Sequence, residues 1–338
     1  MKLWRFPRAD GIDTLQPDEG ETPRPGRGQV LVRLRAASLN YRDLMVATGR
    51  GARGPTPANL IPLSDGAGEV VEIGADVTRF RPGARVCPLF MQTWLGGEIE
   101  PEHVPSSLGG AIDGVLTEYA VFDQDGLVAI PEHLSFEEAA CLPCAGVTAW
   151  NALFTLRPLG PGQSVLLLGT GGVSIFALQF ARAAGARVIL TSSSDEKLAR
   201  ARALGAQETI NYRAHPEWQQ EVLRLTGGRG VDHVVEVGGP GTLPRSVEAA
   251  RLGGSISLIG VLTGAGGEIN PTPMMRKNLV VRGIYVGSRQ MFEAMNAAVV
   301  LHRITPVIDH VFPFAEARAA YHHLKSQAHL GKVVIRFD

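Results

Sequence analysis

The stretch SVLLLGTGGVSIFALQFARAAGARVILTSSSDEK, residues 164–197, constrains the fold more than any other part of this chain. A short apolar run, Val165 to Leu168, meets the loop Gly169-Thr170-Gly171-Gly172-Val173. An amphipathic helical pattern follows, and then a second apolar run from Val188 to Leu190. Strand, glycine turn, helix and strand in that order predict a dinucleotide-binding unit. Gly169 permits the tight turn, and Gly171 lets the backbone approach a pyrophosphate. A helix starting at about Gly172 aims its unpaired N–H groups and positive dipole end at that anion. Ser174 stands where the fingerprint usually has its third glycine, and it is small enough for close helix–strand packing.

At 338 residues the chain suits two domains. Its 45% hydrophobic and 20% charged residues are those of a globular protein. Zero net charge, with no Lys/Arg-rich block, argues against nucleic acid or an anionic membrane as the main partner. No apolar run approaches a membrane span, and MKLWRFPRAD lacks the hydrophobic core of a signal peptide. Three cysteines give no disulfide framework, so a cytoplasmic location is expected.

Residues 1–140 read as mostly β, with Val30, Val32, Leu34 and Ala36 alternating against Leu31, Arg33 and Arg35. The segment 88–114 has no periodicity and reads as a long functional loop. Over 141–287 strands alternate with helices. Strands are predicted at 165–168, 187–191, 208–211, 233–237, 255–259 and 279–284, with helices opened by Ser194-Asp195 and Pro216-Glu217. This predicts an α/β, doubly wound parallel sheet. The tail, 288–338, supplies two helices and a last strand near Val333, and is too short to build its own core. It is expected to pack back on the first domain.

With SLNYRDL (38–44), PLSDGAGEVVEIG (62–74), LPCAGVTAWNAL (142–153), GTGGVS (169–174) and INY (210–212), the chain resembles the medium-chain dehydrogenase/reductase superfamily over nearly its full length. It looks most like the zinc-independent, quinone oxidoreductase-like and zinc-type alcohol dehydrogenase-like branch. The resemblance implies a GroES-like, mostly-β catalytic domain, a Rossmann domain and an active site in the cleft between them. Zinc-dependent members place Cys, His-Glu and Cys where this sequence has Asn40, Ser64-Asp65 and Cys144. Catalytic zinc needs three ligands of Cys, His or carboxylate type, so no zinc is expected. The family's four-cysteine lobe would fall in 88–114, which has no cysteine. Cys141 and Cys144 read as buried small side chains, and His322-His323 as part of a surface helix.

An NAD-preferring unit usually ends its second strand with an acid, roughly 20 residues past the first glycine. Here that end reads Thr191-Ser192-Ser193, so the expected cofactor is NADP. Ser192 and Ser193 can donate to a 2′-phosphate, and related enzymes use a Lys and the INY tyrosine, here Lys197 and Tyr212. Asp195 is expected to cap its helix. Val237, Gly238, Gly260, Val261, Tyr285, Val286 and Gly287 follow later strands and are expected to line the cofactor cleft.

Asn40 is the expected polar group beside the nicotinamide, with Asp43 orienting its loop. Thr148 matches the family position touching the nicotinamide ring. Tyr41 is either a proton donor or a packing residue. The tyrosine of mitochondrial enoyl reductases is missing from LMVATGRGARGP, which weakens that assignment. The leading expectation is an NADPH-dependent, zinc-free reductase of quinones or α,β-unsaturated carbonyls. An alcohol/aldehyde oxidoreductase is the rival, and a cofactor-binding protein without turnover, as in crystallin-like members, is the third reading. Residues 279–283 resemble the family's edge strand, so a homodimer is expected.

Overall fold

The computed structural model of this chain describes residues 1–51, 54–264 and 266–337. The chain forms two compact units. One holds residues 1–147 and the segment from Val286 onward, and the other runs Thr148–Tyr285. The expected boundaries at 140 and 287 therefore move to 147 and 285. The first moves because the helical turn Leu142–Gly146 is anchored in the first unit, where the Cys144 N–H donates to the Asp65 carboxylate at 3.2 Å. The second moves because Val286 packs with Phe90, Met91 and Trp94 of that same unit.

The first unit is built on the strand Gln29–Leu39, whose apolar alternation buries Val30, Val32, Leu34, Ala37 and Leu39 in one core. Along one side it pairs antiparallel with Asp65–Ile73, from Val30 opposite Ile73 to Ser38 opposite Asp65. Its other side is shared. Tyr119–Asp123 takes residues 29–33, and the C-terminal strand Lys332–Arg336 takes residues 36–39. The tail thus returns to the first unit as expected, with Val333 opposite Leu39. An additional strand, Ile308–Pro313, lies parallel to Lys332–Arg336 at the sheet edge. The sequence reading missed it because its exposed and half-buried residues show no regular alternation.

The second unit carries a parallel sheet of six strands among the described residues. Their order is Glu208–Asn211, Arg187–Ser192, Ser164–Leu168, Val231–Glu236, Ala250–Leu258 and Val280–Gly283. The strand order reverses between Ser164–Leu168 and Val231–Glu236. In such sheets ligands bind outside the carboxyl ends of the strands at this point. Leu168 and Glu236 are those ends, so Gly169 and Val237 open the loops that matter. Every residue of Ser164–Leu168 is buried, as a central parallel strand covered on both faces requires. Among the described residues no helix is long and apolar enough to cross a membrane.

Candidate functional site

In the second unit the glycine loop has the predicted geometry. Gly169 adopts φ +74°, a left-handed conformation that side-chain-bearing residues rarely enter. Gly171 is the N-cap of the helix Gly172–Ala183, with φ −75° and ψ 179°, which any residue can adopt. A Cβ built on either glycine would meet nothing within 4 Å. Neither the backbone nor internal packing therefore explains Gly171, whereas a ligand lying against the loop would. Ser174 is buried and its hydroxyl donates to the Leu168 carbonyl at 2.7 Å, tying helix to strand where a third glycine was expected. Thr170 is buried, while Gly172 and Val173 are half-buried at the first helical turn. An open anion cradle at a helix N-terminus fits the pyrophosphate of a dinucleotide.

The end of the second strand, Arg187–Ser192, collects the residues read as a phosphate site. The Tyr212 N–H donates to the Ser192 carbonyl at 3.0 Å, which brings the INY motif against this strand end. Tyr212 is largely exposed, Ser193 is half-buried, and Ser192 is buried with its hydroxyl accepting from the Ser194 N–H at 3.4 Å. The helix Asp195–Ala203 is capped by Ser194, whose hydroxyl accepts from the Lys197 N–H, and not by Asp195. Asp195 occupies the first helical position and accepts from the Asn211 amide at 2.8 Å. Its carboxylate is thus committed to the INY segment. Lys197 is half-buried on the first turn of the same helix.

Two glycines assigned to the cofactor cleft have reasons internal to the chain. A Cβ at Gly238 would lie 2.2 Å from Thr242 Oγ1, and one at Gly260 would lie 2.2 Å from the Val237 carbonyl oxygen. The organiser of these loops is Glu236, which the sequence reading overlooked. Fully buried, it accepts from the Gly238 N–H at 2.7 Å, the Gly239 N–H at 3.1 Å, the Thr242 hydroxyl at 2.6 Å and the Ser246 hydroxyl. An acid closing a buried strand two residues before the paired glycines Gly238-Gly239 was the available signal. Val237 is half-buried on the loop it holds, and Val261 is half-buried on the neighbouring loop, which bonds the first through the Leu262 and Thr263 N–H groups. Thr148 is buried near the start of the helix Val147–Phe154, and Tyr285, at the end of this unit, is exposed.

Val286 and Gly287 belong to the first unit, where Val286 holds φ +57°. A β-branched residue there stores strain of roughly 1–3 kcal/mol. Packing fixes both, since a Cβ on Gly287 would lie 2.4 Å from Val147 Cγ1.

Also in the first unit, five segments converge on a buried polar cluster. Asn40 follows the central strand and is the N-cap of the helix Tyr41–Ala47. Asp43, fully buried, accepts from the Asn40 N–H at 2.7 Å and faces Arg42 Nη1 at 3.3 Å. It thus ties down the Asn40 end of the helix. Burial raises its carboxyl to about 6, against the opposing pull of Arg42 and the Asn40 N–H. Arg42 also donates to the Leu108 and Gly109 carbonyls at 2.9 and 3.0 Å and lies over the Phe90 ring, which pins the long loop to the cluster. Asp65 accepts from the Ser64 hydroxyl at 2.7 Å. Burial raises its carboxyl too, opposed by Lys332, Asn40, Ser64 and the Cys144 N–H. Tyr41 is partly exposed to solvent.

The unforeseen member is Lys332, only 2% exposed. Its Nζ donates to Asn40 Oδ1 and to the Leu39 carbonyl, both at 2.6 Å, and lies 3.8 Å from Asp65 Oδ2. Asn40 Nδ2 is buried without a well-formed hydrogen bond, and the Asn40 side chain acts on the Asp65 carboxylate as a hydrogen-bond donor, favouring its charged form. Nothing in the local sequence links Lys332 to Asn40 beyond a lysine opening the apolar run of the last strand.

These residues do not fit a catalytic zinc. The Asn40 oxygen is already taken by a cation, the Ser64 hydroxyl is tied to Asp65, and Cys144 is a half-buried thiol. Burial pushes that thiol far above the usual cysteine range. Cys141 is buried as expected, its thiol raised by burial to about 12.

Residues 26–132 match the family described as alcohol dehydrogenase GroES-like domain, and residues 172–300 match zinc-binding dehydrogenase. The chain is 48% identical to a zinc-type alcohol dehydrogenase-like protein of Schizosaccharomyces pombe, over 97% of this chain and 96% of that one. It is 30% identical to a quinone oxidoreductase of Pseudomonas aeruginosa, over 99% of both. A crystal structure of an NAD-dependent alcohol dehydrogenase superposes with a TM-score of 0.91 at 34% identity, over 99% of both chains.

Proposed function

This chain belongs to the medium-chain dehydrogenase/reductase superfamily and is an oxidoreductase, and from that premise we propose that it is an NADPH-dependent, zinc-free reductase of quinones or α,β-unsaturated carbonyl compounds. The observation that carries this reading is the bond between the Asn40 carboxamide and Lys332. It stands where the resemblance places a metal thiolate. Without a metal to help remove a hydroxyl proton, simple alcohol oxidation lacks its usual assistance. A conjugated acceptor needs less: hydride adds to carbon, the electron pair moves to oxygen, and a hydrogen-bond donor holds the charge until water supplies the proton. Asn40 is that donor in this proposal.

NADPH, when bound, supplies the hydride. The loop Gly169-Thr170-Gly171-Gly172-Val173 would hold its pyrophosphate, and Ser193, Lys197 and Tyr212 its adenosine phosphate, with Ser192 supporting them from behind. No carboxylate ends the second strand to repel that phosphate. Thr148, Val237, Val261 and Tyr285 are assigned to the remaining cofactor surface. The strand Val280–Gly283 lies at a sheet edge, which supports a homodimer formed by edge pairing and is tested by sedimentation equilibrium.

Alcohol oxidation is the second reading, supported by the names of the similar proteins. Turnover of NADPH and NADH with a quinone and enone panel, set against NADP or NAD with primary alcohols, separates the two. Activity with alcohols alone, abolished by a chelator, would refute the proposal.

A further inference from the structure

We propose that Lys332 is a positioning residue that decides which way the Asn40 carboxamide faces. The inference rests on the reading that Asn40 holds the acceptor oxygen. The arrangement follows from strand register. Val333 lies opposite Leu39, so the residue before Val333 reaches the residue after Leu39. Lysine buries its head only when partners satisfy it. Here Asn40 Oδ1, the Leu39 carbonyl and the nearby Asp65 carboxylate do so.

An ammonium has three donors and no acceptor, so only the oxygen end of the amide can face it. This chemistry fixes the amide orientation, which its shape alone would leave ambiguous. Nδ2 is consequently turned away from Lys332; it makes no well-formed hydrogen bond, although the Asn40 side chain favours the charged Asp65 carboxylate as a donor. A buried donor without a well-formed bond is uncommon, and it leaves the group able to donate to something else. With Lys332 gone, the amide is free to turn its oxygen toward the acceptor and oppose the charge it should stabilise. Lys332 also compensates Asp65, as Arg42 compensates Asp43, so the cluster holds two cations against two buried carboxylates.

The test is a double-mutant cycle in the full-length protein with NADPH and 1,4-benzoquinone. Removing one preorganised donor typically costs roughly 10²–10³ in kcat. Lys332→Met and Asn40→Ala should each approach that loss. Their combination should fall within about 3-fold of Asn40→Ala alone, because Lys332 acts through Asn40. Lys332→Arg should recover part of kcat, and KM for NADPH should stay within a few-fold throughout. Multiplicative losses, or an unchanged kcat in Lys332→Met, would overturn the positioning role while leaving the proposed reaction standing. An unchanged kcat in Asn40→Ala would instead remove the reading on which it rests, and the positioning role with it. Should the wild type not reduce the quinone, NMR of the Asn40 side-chain amide decides. Its proton and nitrogen shifts should coincide in the wild type and Lys332→Arg, and move in Lys332→Met, because the bond to the amide oxygen is lost only there. An unaltered signal in Lys332→Met refutes the proposal. If Lys332→Met does not fold, Lys332→Met/Asp65→Asn removes both charges and carries the same comparisons against Asp65→Asn.

Discussion

Gly171→Ala should separate folding from cofactor binding. The backbone there is extended and a new Cβ meets nothing within 4 Å, so the substitution introduces no clash and no strain. Replacing glycine at a compatible position stabilises by about 0.4–1 kcal/mol through the unfolded chain. Alanine is, however, a poorer N-cap than glycine by a similar amount. The two effects offset, and the melting temperature should change by no more than a few degrees, since about 1 kcal/mol corresponds to roughly 2–4 °C in a chain of this order of size.

Binding should respond differently. The added methyl occupies the space through which the pyrophosphate would approach the N–H groups of the loop. Each hydrogen bond to a charged group contributes roughly 1.5–3 kcal/mol. Losing one should therefore raise the NADPH dissociation constant about 10- to 150-fold. Fluorescence titration with NADPH reads this directly. The thermal stabilisation that saturating NADPH confers on the wild type should shrink in parallel. Gly238→Ala and Gly260→Ala provide the contrast, because their Cβ atoms would lie 2.2 Å from Thr242 Oγ1 and from the Val237 carbonyl oxygen. Those variants should lose stability before binding is even considered. A Gly171→Ala protein that melts normally and binds NADPH within about 3-fold of the wild type would show that the cofactor does not lie against this loop, and the reasoning would fail.

Lys197→Ala should weaken NADPH at least 10-fold more than NADH in the same titration, whereas equal losses would remove Lys197 from the phosphate site. Asn40→Ala should lower kcat by about 10²-fold with NADPH affinity within a few-fold, and treatment of the wild type with dipicolinate should leave its activity intact. Loss of activity on chelation that added zinc restores would refute the zinc-free chemistry. Asp43 supplies a pH prediction. Its folded pKa of about 6 lies above the ordinary value of 3.8, so the folded chain holds this proton more tightly than the unfolded one. Its contribution is full below the ordinary value and is lost as pH rises through about 6. Melting curves between pH 4 and 7 should fall more steeply for the wild type than for Asp43→Asn, and parallel profiles would count against a raised Asp43.

The sequence by itself determined the nucleotide-binding architecture, because its signals are local. A buried strand, a turn needing Gly169 and an amphipathic helix occupy one continuous stretch, and each following strand announces itself by its own apolar run. The six strands formed where they were expected, with ends displaced by a few residues at most positions and by more at Ala250–Leu258. Residue identity alone also removed the usual metal donors at 40 and 64. Tertiary structure decided matters that depend on pairing across distance. Ser194 and Asp195 are both good caps, and only the backbone at Ser194 shows which one serves. Glu236 became an anchor only once the loop after its strand and the helix that follows turned back over its carboxylate. Lys332 reaches Asn40 across 292 positions because one hydrogen-bond register aligns the last strand with the end of the central one. A short segment encodes its own strand or helix, but the partner of a buried charge is chosen by the sheet that brings the two together.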